Sequence, residues 1–264
     1  MSIILNEQKF EVPDVKTLSW KDPEATGLGI KEVTDKSTRK TWLRGIVCHT
    51  VHGKLGNLLP GVGPKTSDAI KYAKYQVNTD RDVSWDMTCD LNGDWVVQND
   101  PLKFYTWQAG NVNGYTLGFE MVQHENGDLY EDQIAKVVRM IDFLTAKLGI
   151  QRQIPWDVKN NRPLRKTVAR IVAGGSDVVG IYNHSHQTTN RGYGDCGPWL
   201  PIALKNAGYE TYAFDGDDKE VWKQRQTALG ITADGIPGPG TVRALVASGK
   251  KHGMYVSRPI DNLI

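Results

Sequence analysis

The sequence predicts an α/β protein: a mixed central β-sheet flanked by helices, followed by a small C-terminal helical domain. Three observations lead there. Short apolar runs of strand length, Ile46-Val47-Cys48-His49 and Leu117-Gly118-Phe119-Glu120-Met121 among them, interleave with segments of helical period. Asn92-Gly93 separates two strand-like runs and marks a hairpin, because both residues tolerate positive φ. Past Gly208 a polar linker leads into two short helical runs pinned by a Gly/Pro turn. A chain of 264 residues, 39% of them hydrophobic and 23% charged, has material for one sizeable core and a small second unit.

Residues 1 to about 40 mix polar and aromatic positions without clear period and read as a loop-rich lead-in. Residues 46–49 read as a buried strand that ends in a Gly-rich loop, and Pro64 followed by Lys65-Thr66-Ser67-Asp68-Ala69-Ile70 as a helix start. Residues 84–89 and 95–98 form the two arms of the expected hairpin. In residues 116–122, Leu117, Phe119 and Met121 alternate onto one face, which sends Glu120 to the other beside Gly118. Asp128 and Glu131 resemble a capping box, and Ile134, Val137, Val138, Ile141, Leu144 and Leu148 keep helical spacing until Gly149 supplies a stop. Residues 176–183 read as the last strand, and residues 198–207, closed by Gly208, as a helix behind it.

A formal charge of +2 is too small to argue for nucleic acid as a partner. The N-terminus lacks a basic region followed by a long apolar one, and no stretch approaches the ~20 apolar residues of a spanning helix, so membrane insertion is not expected. The expected location is therefore the cytoplasm, unless another agent releases the chain. Three cysteines without a CxxC pair favour reduced thiols over a disulfide framework.

His49 closes a strand, and far downstream Asn183-His184-Ser185-His186 and Gly194-Asp195-Cys196-Gly197 supply further metal-ligating side chains. A catalytic zinc takes three protein ligands from His, Asp, Glu and Cys and leaves the fourth position to water. That inventory points to a hydrolase. His186 competes with His184, and Cys196 competes with Asp195 because thiolate binds zinc well. His52 and His124 read as surface residues.

Five segments then carry a family resemblance: Ile46-Val47-Cys48-His49-Thr50, Asp90-Leu91-Asn92-Gly93-Asp94-Trp95-Val96-Val97-Gln98, Trp107-Gln108-Ala109-Gly110-Asn111, Leu117-Gly118-Phe119-Glu120-Met121-Val122, and the loop from His184 through Asn190-Arg191-Gly192-Tyr193-Gly194-Asp195-Cys196-Gly197. Their order and approximate spacing resemble zinc-dependent N-acetylmuramoyl-L-alanine amidases of the type-2 class, which share a fold with peptidoglycan recognition proteins and include many phage endolysins. The resemblance covers about residues 40 to 210. It implies Zn2+ held by His49, His184 and Asp195, with Glu120 as the general base that takes a proton from water and delivers it to the departing amine of L-alanine. Trp107, Gln108 and Asn111 are expected to contact substrate. Trp85, Trp107 and Tyr115 read equally as core residues and as sugar platforms.

Two positions depart from the family pattern. Gln108 stands where many relatives have histidine, and Tyr193 where many have lysine. Tyr193 and Arg191 are then equal candidates to stabilise the oxyanion.

Residues 222–245, with Leu229-Gly230-Ile231 and Asp234-Gly235-Ile236-Pro237-Gly238-Pro239-Gly240-Thr241, resemble a peptidoglycan-binding type-1 domain. Thr241 would cap its second helix, and Leu229, Ile231, Val242 and Leu245 would fill its core. The expected organisation is a catalytic domain over 1–210, a linker over 211–219 and a binding domain over 220–264. The expected activity is cleavage of the amide between N-acetylmuramic acid and L-alanine by a monomer that acts on peptidoglycan after release and lyses the host cell. The alternative, motivated by Gln108 and Tyr193, is a peptidoglycan recognition protein with little or no catalysis.

Overall fold

The computed structural model describes residues 2–32, 37–39, 43–51, 68–90, 95–122, 131–157, 160–164, 179–188, 195–212, 223, 226–235 and 244. The chain begins with strands β1 (Ile3–Leu5), β2 (Gln8–Phe10) and β3 (Lys16–Ser19) and a one-turn helix α1 (Pro23–Gly27). This corrects the expectation of a loop-rich lead-in. β1 and β2 pair antiparallel across Asn6 and Glu7, both at positive φ, the backbone that a two-residue hairpin turn requires. Strands of three residues are too short to show a period, and this turn has no glycine to announce it. Gln98 ties the hairpin down, accepting from the Ile4 N–H at 2.8 Å and donating to the Ile4 carbonyl at 3.0 Å.

Next come β4 (Ser37–Thr38), β5 (Gly45–Thr50), α2 (Asp68–Asn78), β6 (Met87–Cys89), β7 (Trp95–Gln98), β8 (Phe104–Tyr105), a 3-10 turn (Gly110–Tyr115) and β9 (Thr116–Met121). α3 (Glu131–Leu148), β10 (Gln153–Asp157), β11 (Arg162–Pro163), β12 (Gly180–Asn183), the single turn α4 (His184–Gln187), α5 (Trp199–Asn206) and β13 (Glu210–Tyr212) complete the described elements.

Six strands form the central sheet in the order β12-β5-β9-β6-β7-β3. It is mixed, as the sequence predicts: β6 and β7 run antiparallel, as a hairpin must, and the other neighbouring pairs run parallel. Ile46, Cys48, Leu117, Phe119 and Met121 turn to one face and share a buried core with Val137, Met140, Ile141 and Leu144 of α3 and Leu200 and Leu204 of α5. Gly149, at φ +68°, ends α3 as its position in the sequence predicts. On the opposite face, Ala69 and Ala73 of α2 pack with Leu18 and Val97, while Val47 and Tyr182 pack with Ala109, Val112 and Leu164. Between these two clusters the same face carries His49 and Glu120.

β13 pairs in parallel with β10, so the α/β unit reaches Tyr212. The helical domain expected over 220–264 lies mostly outside the described residues, as do Thr241, Val242 and Leu245. Within 226–235, Gln226 is buried and clamps a turn, donating to Asp234 Oδ1 at 2.7 Å and accepting from the Gly235 N–H at 2.7 Å. Cys48, Cys89 and Cys196 are buried and free, and among the described residues no helix is long and apolar enough to cross a membrane.

Candidate metal centre

The sheet register assembles the site. β5 and β12 run parallel with Asn183 opposite Cys48, so His184, the residue after β12, comes level with His49. On the other side of β5, His49 stands opposite Glu120 of β9. Neighbouring strands lie ~4.8 Å apart and residues in register project to the same face, which puts the Glu120 carboxylate and the His49 ring side by side. Glu120 is half-buried, whereas His49, His184 and Asp195 are buried.

His49 Nδ1 and His184 Nδ1 are 3.0 Å apart, and His184 Nδ1 lies 3.1 Å from Asp195 Oδ2. One ligand atom from each of the three residues falls within 4.8 Å of the others. A single proton on His184 Nδ1 can serve only one of its two neighbours well; a cation serves all three lone pairs. Ligand atoms on a tetrahedral zinc at ~2.1 Å stand roughly 3.4 Å from one another, close to the spacing found here. Two imidazoles and a carboxylate are also a common donor set for catalytic zinc, so the residues present fit the ion. The carboxylate is pre-aimed: Asp195 Oδ1 accepts from the Thr50 N–H at 2.9 Å, which leaves Oδ2 for the centre.

The choice between neighbouring ligands follows from local capping. His186 lies two residues further along α4 and turns away from the centre. Its Nδ1 accepts from the Asn183 N–H at 3.2 Å and its Nε2 donates to the Leu164 carbonyl at 3.1 Å, so both nitrogens are used. Burial depresses its pKa to about 4, which keeps the ring neutral. Cys196 Sγ donates to Asn183 Oδ1 at 3.0 Å, and burial raises its pKa well above the ordinary thiol value, against thiolate formation. The structure therefore brings His184 and Asp195 to His49, and leaves His186 and Cys196 as packing partners of Asn183.

A cleft of about 340 Å³ opens over the centre, with His49, Gln108, Glu120, His184 and Asp195 in its lining and Tyr72, Tyr75, Arg81, Trp85 and Trp107 around it. Trp107 is 40% exposed, whereas Trp85 is buried with its Nε1 donating to Thr88 Oγ1 at 2.6 Å. Tyr115 belongs to a second depression that it shares with Tyr105 and Trp107. Asn111, expected to contact substrate, is exposed in the 3-10 turn and does not line the cleft. Arg191 and Tyr193 lie outside the described residues.

No protein-family model matches the sequence, and no curated protein matches it. Among solved structures, the chain is similar to a selenomethionine AmpD derivative, at 13% identity and a TM-score of 0.44 over 78% of this chain and 98% of that one. It is also similar to the endolysin N-acetylmuramoyl-L-alanine amidase LysCS from Clostridium intestinale URNW, at 13% identity and a TM-score of 0.43 over 75% of this chain and 97% of that one. A mutant endolysin from Bacillus subtilis matches at 22% identity and a TM-score of 0.37 over 52% of this chain and 80% of that one. At these identities and TM-scores no residue role is carried from them to this chain.

Two parts of the site are not marked in the sequence. The α2 wall, Tyr72 and Tyr75 with Arg81 just beyond, shows only as aromatic and polar residues flanking the buried Ala69, Ala73 and Gln76. Next in sequence to the cleft residue Trp85, Asp86 forms a buried ion pair with Arg39 at 3.0 Å. Arg39 donates to the carbonyls of Leu102 at 2.8 Å and of Asn113 and Thr116 at 2.6 Å, while Asp86 Oδ2 accepts from Thr106 Oγ1 at 3.0 Å and the Gly118 N–H at 2.8 Å. Burial pushes Asp86 upward and Arg39 downward in pKa, each opposed by the partner's charge. The pair fastens the segment carrying Trp107 and Gln108 to β9.

Proposed function

We propose that the protein is a zinc-dependent peptidoglycan hydrolase that cleaves the amide between the lactyl group of N-acetylmuramic acid and L-alanine. The observation that carries this reading is the meeting of His49, His184 and Asp195 with Glu120 in one cleft, at the positions that the type-2 amidase motifs single out. Zinc, when bound, would supply Lewis acidity toward the lactyl carbonyl and a water acidic near neutral pH. The Thr50 N–H and the Asp195 carboxylate set the direction of one ligand. Glu120 takes the proton of the attacking water and passes it to the alanine nitrogen as the C–N bond breaks, so the products are a free lactyl carboxylate and a free amine. Arg191 and Tyr193 are the proposed donors to the oxyanion, and Trp107 with the α2 wall the proposed seat of the muramyl peptide. The segment over 220–264 would hold the enzyme on the wall polymer, which it reaches after release by another agent.

The test is zinc analysis of the purified protein together with mass spectrometry of digested peptidoglycan. One zinc per chain and new stem peptides beginning with free L-alanine are expected. Zinc binding without any cleaved amide would replace the enzyme with a recognition protein, and cleavage elsewhere in the polymer would replace the bond assigned here.

A further inference from the structure

Gln108 stands in the cleft wall, yet its side-chain amide is engaged at both ends. Nε2 donates to Thr116 Oγ1 at 2.9 Å, and Oε1 lies 2.6 Å from His49 Nε2. Thr116 Oγ1 in turn donates to the Val112 carbonyl at 2.8 Å. The far end of this chain sets its direction. A carbonyl only accepts, so the single hydroxyl proton of Thr116 goes to Val112, and the hydroxyl must then accept from the Gln108 NH2 group. The amide oxygen is thereby turned to His49, and since it too only accepts, His49 carries its proton on Nε2. Its Nδ1 lone pair is left facing His184 and Asp195.

Two further features hold the amide in place. The Gln108 and Ala109 N–H groups both donate to Asn113 Oδ1, at 3.2 and 2.7 Å, which fixes the turn that carries it. To reach β5 the side chain crosses β9 at Gly118, where a Cβ would stand 2.8 Å from Gln108 Cγ. Only glycine leaves that path open.

We infer that Gln108 is a positioning residue for the metal: through Thr116 and the Val112 carbonyl it locks His49 in the Nε2–H tautomer and so presents Nδ1 to the ion. The inference rests on reading His49, His184 and Asp195 as a metal site, and it replaces the substrate contact expected of Gln108 from the sequence.

The test uses the full chain, Gln108→Leu, Gln108→Glu and Thr116→Val, with zinc alone as the probe. Nitrogen-15 NMR of the histidine rings reads the tautomer in metal-free and zinc-loaded protein, and competition with a chromophoric chelator reads zinc affinity. Wild type is expected to hold His49 as Nε2–H in both states. Gln108→Leu should populate both tautomers and lose ~10–100-fold in zinc affinity. Gln108→Glu, whose carboxylate still accepts from Nε2, should retain both properties, and Thr116→Val should fall between. An unchanged tautomer and affinity in Gln108→Leu, with only KM for a muramyl peptide raised, overturns the inference and restores the substrate contact. A wild-type protein with no zinc affinity sinks the metal reading itself, and with it the assigned role of Gln108.

Discussion

Strands β5 and β9 present two faces made of alternate residues, and the two faces meet different physical demands. Toward α3, Ile46, Cys48, Leu117, Phe119 and Met121 are buried and apolar, and need only fill volume at the density of a protein interior. Toward the cleft, His49 and Glu120 take the same kind of positions one residue along, and there direction matters more than volume. His49 is held by Gln108, the Asp195 carboxylate by the Thr50 N–H, and Gly118 gives up its side chain to let Gln108 pass. One face is therefore encoded by a repeating pattern, the other by partners that each side chain finds far away in sequence.

The largest expected effect separates two histidines of one helical turn. His184→Ala and His49→Ala should abolish bound zinc and activity while the circular dichroism of the fold persists, because two ligands hold catalytic zinc poorly. His186→Ala should keep zinc and lose stability, by about 1–3 kcal/mol for each buried partner left unsatisfied, here the Asn183 N–H and the Leu164 carbonyl. Full zinc occupancy in His184→Ala with loss in His186→Ala would reverse the assignment.

Adjacent residues of β9 give the next contrast. Phe119→Ala removes a fully buried ring from the α3 face and should cost about 3–5 kcal/mol in urea unfolding, with zinc stoichiometry unchanged in the folded protein. Glu120→Gln should do the opposite, leaving fold and zinc in place while turnover falls by at least ~100-fold. Near-normal turnover in Glu120→Gln would return that carboxylate to a structural role and leave the cleft face without its base.

The α3 face was legible in the sequence because alternation along 116–122 and the 3.6-residue period of α3 express burial directly. His49, His184 and Asp195 were singled out as candidate ligands by the motif resemblance, and the structure brings the three together. Residue type alone left His184 and His186 as rivals, and likewise Asp195 and Cys196; the hydrogen bonds around Asn183 turn His186 and Cys196 away from the centre. The rest was not legible for physical reasons. β1 to β3 are too short for a period to develop, and the Arg39–Asp86 pair joins residues 47 apart that carry no motif. Tyr72, Tyr75 and Arg81 become a wall only because α2 packs on the cleft side of the sheet. The sequence singled out Gln108 as a departure from the type-2 amidase pattern that it resembles, and the link of Gln108 to His49 depends on a glycine on one strand and a histidine on the next.

The smallest expected effect tests where the proposed metal face ends and the proposed substrate wall begins. Trp107 neighbours Gln108, and its ring stands 40% exposed between the cleft and the second depression, edge-on to Tyr105 at 5.6 Å. Its backbone is held independently of the ring, since the Trp107 N–H donates to Ser84 Oγ at 2.9 Å and the following turn is fixed by Asn113. Trp107→Ala should therefore leave the turn and zinc affinity untouched and cost about 1 kcal/mol of stability for the lost ring packing on Tyr105. An aromatic contact of 0.5–1.5 kcal/mol lost equally from ground and transition state would raise KM for a muramyl peptide by roughly 2–10-fold at constant kcat. Steady-state kinetics on a soluble muramyl peptide, run beside chelator competition, read both quantities. A fall in kcat accompanied by weaker zinc binding would mean that the indole braces Gln108 against His49, and Trp107 would then belong to the metal centre and not to the substrate wall.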